Sequence, residues 1–308
     1  MAFKLKLKDP PADVTYPYVL LRAPLSEPPV MSEAVKGMVG LLIAMLFFMF
    51  GVAYVMVGVG ATIWQIEGQP GSMSDFLLTL TTFTKPEGML ARHLGMGSLI
   101  VVAFALVTLL HQTRGRWLSS VQPGFRWRWA FICFLAGLVV IGAFAWASSG
   151  FTILPIKPQA DFGVWLVVII LTVPIQAAAE EYFFRGYLLA ALGSSARSKW
   201  LPIIASALLF AVFHGTQNWA LFTERFGFGM VAGVLALYTG GLEASIAVHT
   251  VNNLYAYLVA GLTSSIAQVI STTELTWLTA IFDITGYALF ALAALWFAQK
   301  LKLPNTTP

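Results

Sequence analysis

The protein has 308 residues, of which 58% are hydrophobic and only 10% are charged, and its formal net charge is +4. A soluble domain carries about 25% charged residues, so this composition excludes a disordered chain, a nucleic-acid binder and an ordinary cytosolic globule. It indicates a helical protein that crosses a membrane several times. The single cysteine, Cys133, excludes a disulfide framework and a cysteine-ligated zinc site.

The first segment, residues 1–36, is basic and rich in proline. It contains no apolar run long enough for a signal peptide, and it carries Lys4, Lys6 and Lys8. We therefore predict an extended, flexible cytoplasmic tail. Its lysines could contact anionic lipid, and the tail would also suit docking to a membrane-protein partner.

Long apolar runs follow the tail, and they predict an all-α, polytopic transmembrane bundle of about eight spans, because only closed hydrogen bonding survives in lipid. The predicted spans are 38–63, 94–111, 129–148, 163–192, 200–216, 226–240, 244–262 and 277–298. The fourth run, at about 45 Å of helix, exceeds a hydrocarbon core of about 30 Å. It must therefore tilt, kink at Pro174 or extend into the cytoplasm. We divide the rest of the chain into N-terminal helices at 37–150, a core at 160–262 and a last helix at 277–298.

Basic residues are shared unequally between the two sides of this bundle. If the N-terminus is cytoplasmic, the outer side keeps only Lys85, Arg92, Lys157 and Arg225. An even number of spans also returns the two C-terminal lysines to the cytoplasm. The positive-inside rule therefore predicts that both termini are cytoplasmic.

Ionisable groups inside the predicted spans are expensive and suggest function. Glu180 and Glu181 are adjacent in the fourth span, and Arg185 lies on the same helix face as Glu181, four residues later. Arg185 can thus neutralise Glu181 and leave Glu180 free to point elsewhere. A purely structural ion pair at a helix end explains this segment equally well.

Further polar residues lie in the fifth and seventh spans. His214 alone has the ordinary explanation of a hydrogen-bonded core histidine. His249 and Asn253 share one helix face, where an amide could simply hold membrane helices together. Counted from the predicted cytoplasmic ends, these side chains and Glu180 overlap in depth at roughly 10–21 Å. We therefore predict one buried pocket on the cytoplasmic side, with Glu180 suited to act as a general base.

Three short segments also resemble a known family. Residues 180–185, 210–214 and 249–253 read EExxxR, FxxxH and HxxxN. In order and spacing they resemble the three motifs of the CAAX prenyl protease and bacteriocin-processing (CPBP) family of intramembrane proteases, type II CAAX endopeptidase-like. The resemblance covers roughly residues 160–262, the expected catalytic core. The residues between the motif positions are typical of bacterial members, so we expect a bacterial cytoplasmic membrane.

The resemblance implies an endopeptidase that cuts a membrane-associated protein or peptide. By the same resemblance, Glu180 activates the attacking water, which His214 helps to hold. His249 and Asn253 bind the scissile carbonyl and its developing negative charge. Glu181 and its paired arginine are the positioning residues.

The cofactor is left open between zinc and none. Glu180, His214 and His249 could be three ligands of a catalytic zinc with water in the fourth place. The sequence has no HExxH helix, and Glu180 cannot easily be both ligand and sole base. We weigh metal-assisted hydrolysis equally with water activated by glutamate alone.

Two other functions are weighed against a protease. A non-catalytic scaffold or bacteriocin-immunity protein on the same fold would need Arg185 but not Glu180. A transporter or proton relay would need charge along a path to both faces, whereas the outward half offers little beyond Asp283. His93 and His111 bracket the second span, and we expect them to lie at the membrane interfaces.

Overall fold

A computed structural model of the protein describes residues 6–18, 33–152, 154–193 and 198–308. Most of the predicted tail, including Lys4, lies outside the described residues. Within these residues the chain is helical, with isolated β-bridges but no β-strand. The all-α prediction is confirmed.

The helices follow one another with short connections. Their bounds are α1 Glu33–Leu46, α2 Val52–Ile66, α3 Met73–Thr82, α4 Pro86–Ala105, α5 Trp127–Ser148, α6 Phe162–Glu181, α7 Leu189–Gly193, α8 Trp200–Val212, α9 Trp219–Thr239, α10 Glu243–Thr263, α11 Ala267–Ser271 and α12 Trp277–Lys300. Three π-helical stretches interrupt or extend these helices, at Phe47–Gly51, Leu106–Leu110 and Tyr182–Leu188.

Among the residues that the structure describes, six helical stretches are long and apolar enough to cross a membrane. They are Val35–Ile66, Pro86–Leu110, Trp127–Ser148, Phe162–Gly193, Trp219–Thr239 and Trp277–Lys300. Of the other two predicted spans, α8 is apolar but has only 13 residues, about 20 Å of helix. The remaining one, α10, is long but carries Glu243, His249, Asn252 and Asn253. The count of eight spans and the orientation of the termini stay predictions.

The long helices run alternately between two ends of the molecule. We call one the basic end, where segments 6–18, 111–126, 238–243 and 300–308 meet. Isolated β-bridges join Lys8 to Thr113, Thr15 to Thr306 and Ser120 to Gly241 there.

The opposite end, which we call the far end, gathers the loops between α2 and α4, α5 and α6, α8 and α9, and α10 and α12. Hydrogen bonds tie these loops together. The Asn218 amide donates to the Thr273 carbonyl at 2.8 Å, and the Lys157 amide donates to the Leu262 carbonyl at 2.7 Å.

Helix α9 begins earlier than the sequence predicted. The sixth span was expected to start at residue 226, but the helix starts at Trp219 because Asn218 caps it. Asn218 Oδ1 accepts a hydrogen bond from the Leu221 amide at 3.0 Å, as a side-chain N-cap does. The extra two turns bring Glu224 and Arg225 inside the helix.

The described part of the tail is packed rather than flexible, so that prediction is wrong for residues 6–18. Tyr16 is fully buried, and its hydroxyl donates to the Arg185 carbonyl at 3.0 Å. Asp9 accepts hydrogen bonds from Arg114 and, at 2.8 Å, from Trp117 Nε1. The tail therefore forms part of the basic end.

Candidate active site

The fourth span carries a buried ion pair, as the motif spacing predicted. Arg185 Nη1 donates to Glu181 Oε1 at 2.9 Å, and both side chains are inaccessible to solvent. The guanidinium also lies over the ring of Phe210, 4.3 Å from its centroid, a cation–π contact that helps to hold a desolvated cation.

A π-helical stretch, Tyr182–Leu188, follows the two glutamates directly. Such stretches often occur at functional sites because they change which groups a helix presents. Two carbonyls of the stretch accept side-chain hydrogen bonds, Phe184 from Ser206 Oγ at 2.8 Å and Arg185 from Tyr16 at 3.0 Å. Surrounding elements therefore fix the position of the irregular backbone.

His249 on α10 lies between the two carboxylates. Its Nδ1 is 2.8 Å from Glu181 Oε1, and because a carboxylate accepts, Nδ1 carries the proton. Its Nε2 lies 3.6 Å from Glu180 Oε2, too far for a direct hydrogen bond. The ring packs against Phe228, with centroids 4.8 Å apart. The imidazole is thus held by Glu181 and points its other nitrogen towards Glu180.

Glu180 is held by a residue that the sequence analysis missed. Gln176, one helical turn earlier, donates from Nε2 to Glu180 Oε1 at 2.6 Å. The same side chain accepts at Oε1 from Asn253 Nδ2 at 2.8 Å. Glu180 is 8% exposed, and its Oε2 has no hydrogen-bond partner among the described residues. Gln176 therefore fixes both the glutamate and the asparagine amide, and leaves one carboxylate oxygen free.

His214 lies just beyond the C-terminus of α8, in a turn. Its Nδ1 is 2.6 Å from the Phe210 carbonyl, so Nδ1 donates and Nε2 keeps a lone pair. The ring packs edge-to-face against Phe210, with centroids 4.6 Å apart. Unlike the buried His249, His214 is exposed.

A cavity of about 650 Å³ brings the predicted residues together. Glu180, His214, His249 and Asn253 all line it, whereas Glu181 does not. Glu181 and Arg185 lie behind this wall.

The cavity extends away from the side that we predicted. Its other walls come from the far-end halves of α4, α9 and α10 and from the far-end loops, through residues such as Arg92, Thr216, Thr272 and Thr273. We predicted the pocket on the side of the basic end, whereas the cavity extends from the site residues towards the far end. Which of the two ends is cytoplasmic stays a prediction. The depth argument used distances from one end only and carried no information on which way the space opens.

Other cavity residues were also missed. Glu224 and Asn252 line the cavity, and the Tyr287 hydroxyl links them, 2.7 Å from Glu224 Oε1 and 2.9 Å from Asn252 Oδ1. His93 was expected at an interface, but it is buried in the cavity wall, with Nδ1 2.7 Å from Thr172 Oγ1. Gln176 had a usable signal, since it is a polar residue in an apolar span four residues before Glu180.

The donors fit a metal in chemistry but not in grouping. His249 and His214 each use Nδ1 for a hydrogen bond and keep Nε2 free, as metal-binding histidines do. However, the described residues contain no group of three or more His, Cys, Asp or Glu side chains placed to hold a metal ion. We therefore derive no step through zinc.

Comparison with known proteins supports the motif resemblance. Residues 162–255 match the family described as Type II CAAX prenyl endopeptidase Rce1-like, and this segment contains all three motifs. The chain is also 32% identical over 153 residues to the uncharacterised protein YyaK of Bacillus subtilis (strain 168). That match covers 45% of this chain and about half the length of the relative. No solved structure matches.

The resemblance to the CAAX protease family is thus confirmed over the core of the chain. The matched family is one of proteases. Together with six apolar helices long enough to span a bilayer, it indicates an integral membrane protein.

Proposed function

We propose that the protein is an intramembrane endopeptidase that hydrolyses a peptide bond of a membrane-associated protein or peptide. One observation carries the proposal. Glu180 lines a large cavity, and its buried Oε2, 3.6 Å from His249 Nε2, has no hydrogen-bond partner among the described residues. A buried carboxylate with a free oxygen beside an imidazole is suited to general-base chemistry.

Glu180 would activate the water. The Gln176 amide occupies Oε1, so Oε2 is the oxygen that accepts the water proton. His214 would hold the same water through Nε2, because its Nδ1 is already bound to the Phe210 carbonyl. Both groups line the cavity.

His249 and Asn253 would bind the carbonyl oxygen of the substrate. His249 lies between Glu180 and Glu181. Its part in this proposal requires a proton on Nε2 in addition to the one that Nδ1 donates to Glu181. Asn253 uses one N–H for Gln176 and keeps its second as a donor. Preorganised donors of this kind are worth roughly 10²–10³ each in rate.

The reaction balances without a further reactant. Water gives one proton to Glu180, and its oxygen bonds to the scissile carbonyl carbon. The carbon–nitrogen bond then breaks, and the proton on Glu180 passes to the leaving amine. Glu181 and Arg185 take no proton and act by positioning His249.

The partners in this proposal are the lipid bilayer and a peptide or protein substrate, and its place is a bacterial cytoplasmic membrane. The bacterial relative and the apolar spans support that location. The proposal needs no nucleic acid.

The test is cleavage of a library of lipidated and unlipidated peptides by the purified full-length protein in detergent. We expect Glu180→Gln to lose cleavage by about 10²–10⁴-fold while its melting temperature stays close to that of the parent. Equal cleavage by both proteins would overturn the proposal and favour a scaffold. A parallel reaction with a chelator, followed by added zinc, decides between metal-assisted hydrolysis and water activated by glutamate alone. Only metal-assisted cleavage would stop with the chelator and return with zinc.

A further inference from the structure

The direction in which the cavity opens can be related to the two sides of the membrane. The far-end mouth is formed by Arg92, Thr216, Thr272 and Thr273, which line the cavity and are exposed. Of the described residues that line the cavity, none belongs to segments 6–18, 111–126, 238–243 or 300–308, which form the basic end.

The basic end is closed beneath the site. Tyr16, Leu118, Val121 and Leu242 are fully buried there. The Tyr16 hydroxyl donates a hydrogen bond to the Arg185 carbonyl, so this packed layer begins directly behind the ion pair of Glu181 and Arg185. A Cβ on Gly186 would lie 3.2 Å from Leu118 and 3.3 Å from Leu242, which leaves little space for a substrate path through this layer.

Charge distinguishes the two ends. Outside the cavity site, basic residues concentrate at the basic end, including Lys8, Arg114, Arg116, Arg126 and Lys302. Few basic residues belong to the far end. Because short loops rich in Lys and Arg stay in the cytoplasm, the closed, basic end is the cytoplasmic one.

We infer that the cavity opens to the non-cytoplasmic face of the membrane, and that its substrate is a peptide segment presented there. Such a segment belongs to an exported peptide or to the outer flank of a membrane-anchored protein. The cleavage part of this inference rests on the proposed function; the direction of opening does not.

The geometry also sets how a substrate reaches Glu180. His249 is the seventh residue of α10, about 9 Å along the helix from the basic end, so the chemistry lies deep beneath the far-end mouth. We expect a peptide to enter in an extended form past Thr272 and Thr216, which favours flexible tails, loops or short peptides as substrates.

The test uses single-cysteine variants of the full chain. The native Cys133 is 1% exposed and is replaced in a Cys133→Ala background. Thr272→Cys reports on the far-end mouth, and Gln122→Cys, which is exposed at the basic end, is the matched control. A membrane-impermeant maleimide is applied to intact cells of a bacterial expression host and, separately, to permeabilised cells.

We expect Thr272→Cys to react in intact cells and Gln122→Cys to react only after permeabilisation. The reverse pattern, or equal reaction of both in intact cells, overturns the inference. The labelling requires no catalysis, so Glu180→Gln added to either variant should leave the pattern unchanged. The expected labelling without any cleavage would overturn the proposed function but not the direction of opening.

Discussion

The basic end and the cavity each contain a buried glutamate, but the two carboxylates are paired differently. At the basic end, Glu243 accepts from the amide, Nε and Nη2 of Arg126 at 2.7–2.9 Å, using both oxygens. In the cavity, Glu180 accepts one bond from Gln176 and keeps one oxygen free. Burial alone therefore does not identify a functional carboxylate. Glu180 differs from Glu243 because it lines a cavity and has an oxygen without a hydrogen-bond partner among the described residues.

Arg185 lies at the boundary between these regions, and its loss should have the largest effect on stability. Arg185→Gln leaves Glu181 as an uncompensated charge in a fully buried position, which typically costs about 3–5 kcal/mol. We expect a large fall in melting temperature and in the yield of monodisperse protein in detergent.

The double variant Glu181→Gln with Arg185→Gln is the control for this effect. It removes both charges, so it should recover part of the lost stability. A single variant as stable as the parent would mean that the pair does not stabilise the fold.

Glu243→Gln tests the opposite side of the comparison. Truncating a buried, hydrogen-bonded charge pair costs about 2–5 kcal/mol, so the melting temperature should fall. Cleavage per folded molecule should stay at the parent level, because Glu243 lies at the basic end and does not line the cavity.

Arg126→Gln, which removes the partner, should behave in the same way. If cleavage by either variant falls as far as in Glu180→Gln, the proposed separation between the two regions is wrong.

Gln176→Leu should affect the site more than the fold. The change frees both Glu180 Oε1 and Asn253 Nδ2 from their shared partner. A misplaced catalytic group can cost about 10²-fold in rate, so kcat should fall strongly while KM changes little. A variant that loses substrate affinity alone would show that Gln176 lines the substrate path without positioning Glu180.

The sequence predicted the helical class and the motif residues better than it predicted the other residues of the cavity and the direction in which the cavity extends. Glu181 and Arg185 follow a helical spacing of four, so their pairing was readable from local geometry. Gln176 was missed although it lies four residues before Glu180 in the same span, and Glu224 was missed because the sixth span was predicted to begin at residue 226, after it. The direction of the cavity depends on the packing of the far-end loops and of the buried Tyr16, which helical periodicity does not encode.

Asp9, an exposed counterpart of Glu243, should have the smallest effect. It also accepts from arginines, Arg114 and Arg116, but its side chain is 42% exposed. The hydrogen bond from Trp117 and those arginines lowers the pKa of Asp9. A lowered folded-state pKa stabilises the protein above the unfolded value of about 3.9, and this stabilisation is lost as the pH falls through the folded value.

Solvent screening limits the contribution of such a pair to at most about 1 kcal/mol. Asp9→Asn should therefore lower the melting temperature slightly at pH 7. The difference should shrink in high salt, and it should be lost as the pH falls from about 4 through the lowered folded-state pKa of Asp9. Glu274→Gln, at an exposed site of the far end, is the matched control and should leave the melting temperature at pH 7 unchanged. A pH-independent difference for Asp9→Asn would mean that packing of the tail through Trp117, rather than charge, holds the basic end together.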